Sequence, residues 1–304
     1  MPVDILLKIL EKIMPKAASS KKIKASPKTA PVKKTAPVAK AVSKTANLKI
    51  VTFNANSIRA RLGIVLDWLK KENPDVLAVQ ETKVQDHEFP KEAIQAAGWN
   101  VIFHGQKSYN GVAFISKKPM TIIENRLYPK DNEEQARFLV SEMDGVKLIN
   151  TYIPQGFDIE SEKYKYKLKF FADVKKYFDK NVSNDTPALW MGDLNVAPTE
   201  IDLNNPKGNK DHPCFHIDAR NALADVMKGK WTDLFREKEK GPGHYTFWDM
   251  RQPQVFERNL GWRIDFIMGT PPMVSRLQKI WIDTKPRGLE KPSDHTFLIG
   301  EFSR

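Results

Sequence analysis

ALWMGDLN, residues 188–195, joins an apolar run that reads as a strand to a polar end carrying Asp193 and Asn195. The same join recurs outward in both directions. Asn54 and Asn56 follow LKIVTF (48–53), Glu81 follows DVLAVQ (75–80), and Tyr152 sits within LINTYIPQG (148–156). Asp265 interrupts RIDFIM (263–268), and Asp294-His295 precede TFLIGEF (296–302). Taken singly, each polar residue is an ordinary turn or cap group. A carboxylate at the rim of a buried sheet is nevertheless costly unless it is paired or holds a metal, and six segments repeat the pattern.

Further strands are expected at VIF (101–103), GVAFIS (111–116), RFLVSE (137–142), VKLINTYI (146–153) and KIWID (279–283). Ile64 to Lys71 reads as a short amphipathic helix stopped by Asn73-Pro74. Glu160 to Lys180 reads as a long one, with Leu168, Phe171, Val174 and Phe178 on one face. Many short strands interrupted by a few helices indicate an α+β fold of packed sheets covered by helices. No internal linker follows residue 48, so residues 48–304 read as one catalytic domain.

Residues 1–47 differ in kind. They carry 11 Lys against Asp4 and Glu11, or +9 of the chain's net +12, leaving +3 for the rest. Val3, Leu6, Leu10 and Ile13 have helical spacing, so 3–14 could form a short amphipathic helix, a docking element or part of a presequence. Lys16 to Ala46 is Lys, Ala, Pro, Ser and Thr, with too little apolar surface to offset its conformational entropy, and reads as disordered. A basic arm on a nearly neutral body suggests a polyanionic partner. Across all 304 residues, 41% hydrophobic content with seven Trp and sixteen Phe is enough for a substantial core. The single cysteine, Cys214, excludes an internal disulfide and fits a reducing compartment. No apolar run approaches the roughly 20 residues that span a bilayer. A soluble monomer without membrane contact is expected, cytoplasmic (on the nucleoid in a bacterium) or, alternatively, in a nucleus or organelle.

The strand-end groups are oxygen donors with one His and no Cys among them, which selects Mg²⁺, or Mn²⁺ as a substitute, over zinc. Metal-assisted hydrolysis of a phosphodiester suits such a set. TFNANSIRAR, LAVQETK, HGQKSYNGVAF, NTYIPQG, WMGDLNVAP, TEIDLNNPKGN, GHYTFWDMR, LGWRIDF and KPSDHTFLIGEF occur in that order from residue 52 onward. In this the chain resembles exonuclease III and the apurinic/apyrimidinic (AP) endonucleases, over essentially residues 48–304. GDLN and SDH alone mark only the wider endonuclease/exonuclease/phosphatase superfamily; QETK, IDLNNPKGN and GWRID narrow the likeness to the DNA-repair branch.

The resemblance implies a four-layer sandwich of two mainly antiparallel sheets flanked by helices. It also implies cleavage of double-stranded DNA 5′ to abasic sites, with 3′→5′ exonuclease and 3′-end-cleaning activity. A predominantly exonucleolytic enzyme, or a non-catalytic DNA-binding scaffold, are the alternatives. By motif, Glu81 is the principal metal ligand, with Asn54 and Asp294 near the ion or its waters and Asp193 and Asn195 beside them. Asp193 activates or positions the attacking water, and Asn195 orients that group or binds the scissile phosphate. His295 donates to the phosphate, Asp265 fixes its tautomer, and Tyr152 contacts the phosphate. Arg59, Tyr109, Asn110, Arg137, Asn205 and Asn209 fall where relatives meet the DNA backbone. Phe247 and Trp262 resemble the wall of an abasic pocket, while Trp248 reads as core. PQGFDIESEK lacks the Arg-bearing insertion of some relatives.

Overall fold

The computed structural model describes residues 47–127 and 135–304, so the expectations for the arm, including a short helix at 3–14, lie outside the described residues. One sheet contains β1 (Leu48–Asn54), β2 (Val76–Gln80), β3 (Asn100–His104), β4 (Val112–Ser116), β10 (Leu277–Asp283) and β11 (Phe297–Phe302), in the order β10-β11-β1-β2-β4-β3. The other contains β5 (Phe138–Met143), β6 (Val146–Tyr152), β7 (Ala188–Asp193), β8 (Thr232–Asp233) and β9 (Asp265–Gly269), in the order β5-β6-β7-β9-β8. Each sheet has one parallel pair, β1 with β2 and β6 with β7; every other pairing is antiparallel. A parallel pair needs a crossover. α1 (Ile58–Glu72) supplies it in the first sheet and α3 (Glu162–Asn181) in the second.

Strand alternation sorts the side chains into layers. Ile50, Ala78 and Phe114 face Leu148, Met191 and Ile267 between the sheets. The intervening Val51, Phe53, Leu77, Val79 and Ile115 pack outward against Ile58, Val65, Trp68 and Leu69 of α1. On the far side Ile149, Trp190, Phe266 and Met268 meet Phe171, Val174 and Phe178 of α3, together with Leu223 and Val226 of α4 (Ile217–Met227). This is the four-layer α+β sandwich that the resemblance implies. One polar seam crosses the inner layer: Gln80 donates to Thr52 and Asn150, and Asn150 donates to the Val79 and Ala113 carbonyls. Leaving such buried groups unpaired is costly, so the seam fixes how the sheets register.

α1 begins six residues earlier than its apolar spacing predicts, because the Ser57 hydroxyl accepts from the Ala60 N–H and Ile58 is buried. Asn73, left-handed at φ 47°, ends it. α2 (Lys91–Ala96), α4, α5 (Leu234–Lys238) and α6 (Pro271–Arg276) are short helices that periodicity does not reveal. Among the described residues no helix is long and apolar enough to cross a membrane.

Candidate active site

The topology brings the polar strand ends to one place. Asn54, Gln80, Tyr152 and Asp193 close the four parallel strands, and register pairs Asp193 with Asp265 at the start of antiparallel β9. His295 precedes β11, which runs antiparallel to β1. Gly192 makes the β7 end possible: at φ 136°, a Cβ there would lie 1.9 Å from the Thr151 carbonyl oxygen of β6.

Several residues at the rim adopt left-handed backbone, Glu81 at φ 48°, Lys83 at φ 52° and Asn195 at φ 50°. Non-glycine residues seldom do so, and such conformations persist where surrounding structure imposes them. The QETK turn is imposed by the 110–111 turn, whose Asn110 and Gly111 carbonyls accept from the Lys83 and Thr82 N–H groups. A Cβ on Gly111 would sit 1.9 Å from Thr82 Oγ1.

Asn54 Nδ2 donates to Glu81 Oε1 at 2.7 Å and to Asp193 Oδ2 at 2.9 Å, tying the two carboxylates together. Lys83 Nζ meets Glu81 Oε2 at 2.7 Å. Burial raises the proton affinity of Glu81, but Lys83 and Asn54 outweigh it, and its pKa is lowered. Asp193 accepts from the Asn195 N–H at 2.9 Å and from Asn195 Nδ2 at 3.2 Å. Burial, with Asp265 and Glu81 adding to it, nevertheless raises the pKa of Asp193 against the pull of His295. His295 Nδ1 lies 2.8 Å from Asp265 Oδ2, and Nε2 lies 3.7 Å from Asp193 Oδ2. Burial draws the pKa of His295 down, yet the neighbouring Asp265 and Asp193 outweigh it and the pKa is raised. Tyr152 is driven well above its usual value by burial and by Glu81, and remains a phenol.

Glu81, Asp193 and His295 bring ligand atoms within 4.8 Å of one another. His295 Nδ1 is engaged by Asp265, which leaves Glu81 and Asp193 as the oxygen donors that a hard divalent ion prefers. The crowding that raises Asp193 is also a local demand for positive charge. A divalent cation therefore fits. Asp294 stands just outside this cluster, its Oδ1 accepting from Asn56 Nδ2 at 3.0 Å. Asn54 directs its amide N–H groups at both carboxylates while its oxygen accepts from the Asn56 N–H, so it bridges Glu81 and Asp193.

The cluster lies at the floor of a cleft of about 680 Å³, which Tyr152, Asn195, Asn205, Asn209, Phe247 and Trp262 also line. Phe247 and Trp262 exchange backbone hydrogen bonds, and the Phe247 ring lies 4.9 Å from the His295 ring. Trp248 is buried with Tyr245 and Val255, as its core reading expected. Arg263, close to Asp265 in sequence, pairs with Asp202 at 2.7 Å and Asp233 at 2.8 Å, which leaves Asp265 to His295.

Arg59, Tyr109, Asn110 and Arg137 do not line the cleft. Arg59 pairs with Glu88 at 3.7 Å on the surface, and the Tyr109 ring is exposed. Asn110 spends its amide on Gln106 and Gln135. Arg137 donates to Gln135 and to the Tyr152 carbonyl, and its guanidinium lies 4.6 Å over the Tyr152 ring. Sequence reasoning missed Lys83, Lys167 and Ser293. Two of these lie inside quoted motifs; the third is a lysine in a lysine-rich helix. Lys167 Nζ is fully buried and donates to the carbonyls of Asn195 (2.7 Å), Pro213 (2.9 Å) and Gln155 (3.1 Å).

The endonuclease/exonuclease/phosphatase family model matches residues 51–295. The chain belongs to this family. Within it, the chain is 32% identical to exodeoxyribonuclease III of Haemophilus influenzae over 267 residues, 84% of this chain and all of that one. An AP endonuclease from Archaeoglobus fulgidus superposes with a TM-score of 0.81 at 42% identity, covering 84% of this chain and 100% of that one. A Neisseria 3′ phosphatase bound to a product DNA hairpin superposes at 0.78 with 32% identity and the same coverage. The family member described here is accordingly a hydrolase of the exodeoxyribonuclease III and AP endonuclease type.

Proposed function

We propose that this hydrolase cleaves the DNA backbone 5′ to abasic sites, using Mg²⁺, or Mn²⁺, held by Glu81 and Asp193. Exonucleolytic removal and cleaning of 3′ ends use the same residues. The observation that carries this reading is the cluster of Glu81, Asp193 and His295 in a cleft that Phe247 and Trp262 also line. A deoxyribose without its base is small, apolar on one face, and leaves the helix without breaking a base pair. An aromatic slot accepts it and sterically rejects an intact nucleotide.

When bound, the ion neutralises phosphate oxygens and stabilises the departing alkoxide. The chain's own groups do the rest. Asp193, held by Asn195 and Asn54, orients the attacking water and receives its proton. Asp265 accepts from His295 Nδ1, which leaves Nε2–H facing the cleft as a charged donor to the scissile phosphate. Tyr152, as a phenol, adds a second donor, and Asn205 and Asn209 at the rim position the backbone without reading sequence.

The test is a duplex with one abasic analogue beside an identical intact duplex, each with Mg²⁺ and with EDTA. Metal-dependent cutting confined to the abasic strand is expected. Equal cutting of both duplexes would favour the exonuclease reading, and full activity in EDTA would remove the metal from it.

A further inference from the structure

Phe157 stands out in the loop that follows β6. The residue is 73% exposed although it lines the cleft that holds the carboxylates. Its backbone is left-handed at φ 62°, a conformation an aromatic residue rarely takes. Exposed apolar surface and strained backbone are both unfavourable, and here they coincide at the mouth of a functional cleft.

The backbone of the loop is tied down. Phe157 N–H donates to Gln155 Oε1 at 2.6 Å, and the Gly156 carbonyl accepts from Ser161 Oγ at 2.8 Å. Gly156 is packed so closely that a Cβ would meet Tyr164 at 3.0 Å and Pro213 at 3.2 Å. The backbone that carries the ring is thus anchored at the cleft mouth. Lys163, in the first turn of α3, places Nζ 5.1 Å from the ring centroid. A cation beside an exposed aromatic is the pairing that nucleic-acid surfaces use, the charge for phosphate and the ring for a base face.

We propose that Phe157 is a stacking wedge that selects substrate. When an abasic sugar enters the cleft it leaves a base-sized gap in the duplex, roughly 3.4 Å thick, and a phenyl ring fills such a gap by stacking on the flanking bases. This rests on the DNA reading above and adds a contact that recognises the missing base itself.

Because the ring is exposed, Phe157→Ala and Phe157→Trp should fold as the wild type does. Affinity is measured for abasic and intact duplexes, with 2-aminopurine beside the gap reporting stacking through its quenched fluorescence. Phe157→Ala should lose roughly 5- to 150-fold in affinity for the abasic duplex, the value of one base–aromatic stack. It should change little on intact DNA and abolish the quench, while Phe157→Trp restores both. If wild type discriminates and Phe157→Ala does so equally well, the wedge is wrong while the DNA reading stands. If wild type binds neither duplex, both fall together.

Discussion

Replacing Lys167 by Met removes a buried ammonium while keeping most of the side chain's volume. Burial alone depresses the lysine's pKa, but its three partners are all carbonyls and together demand three N–H donors, so the charged form is the one bound. Each hydrogen bond from a charged donor contributes about 1.5–3 kcal/mol. Losing three is offset by no longer burying a charge, a cost of several kcal/mol, which leaves a net destabilisation of about 2–5 kcal/mol. At roughly 2–4 °C per kcal/mol for a domain of this size, the melting temperature should fall by about 5–15 °C. The same carbonyls belong to Gln155, Asn195 and Pro213, from three separate segments around the cleft. Asn195 also holds Asp193, so its displacement should lower kcat by about 10- to 100-fold, the scale of a small misplacement at a reacting centre. KM should change less. Calorimetry together with steady-state incision kinetics reads both effects. A Met variant that melts within about 2 °C of wild type and keeps its kcat would refute the structural role given to this lysine.

Asp265→Asn removes a carboxylate that raises His295 to about 10, so the imidazole of the metal-free variant should titrate at lower pH by NMR. The sign follows for stability: a His raised above 6.5 stabilises fully below that pH and loses its contribution as pH climbs toward about 10. The variant should therefore lose less stability than wild type across that interval, and an unchanged titration would mean Asp265 does not govern the ring. Deleting residues 1–47, which carry +9 and no aromatic residue, should weaken abasic and intact duplexes alike. It should also flatten log affinity against log salt by about 0.9 per lost Lys–phosphate contact; identical slopes would assign the arm to a protein partner or to targeting.

The strands were legible because a two-residue alternation survives in short segments, and their buried runs have few competing readings. The long helix was legible from Phe171, Val174 and Phe178, all buried against the second sheet. α4 escaped because only Ala219, Leu223 and Val226 of its eleven residues are buried, too sparse a stripe to stand out. Glu81, Asp193, Asp265 and His295 could be picked out because each ends or begins an apolar strand, and sheet topology then gathers them. Partnerships were not readable. KYKYKLK looks like a solvated basic face, yet its Lys167 is buried. Asn110 looks like a surface contact, yet its carbonyl braces the QETK turn and its amide is spent on Gln106 and Gln135. Which carboxylate Arg263 would choose depended on Asp202 and Asp233 arriving from distant loops.

The most direct measurement identifies the ends produced on a duplex with a single natural abasic site and Mg²⁺, for wild type and for Asp193→Asn. Hydrolysis with water oriented by Asp193 should leave a 3′-hydroxyl and a 5′-deoxyribose phosphate, readable by mass, and Asp193→Asn should bind the duplex but scarcely cut it. A 3′-unsaturated aldehyde end, or an Asp193→Asn variant that cuts at the wild-type rate, would contradict water attack at this site.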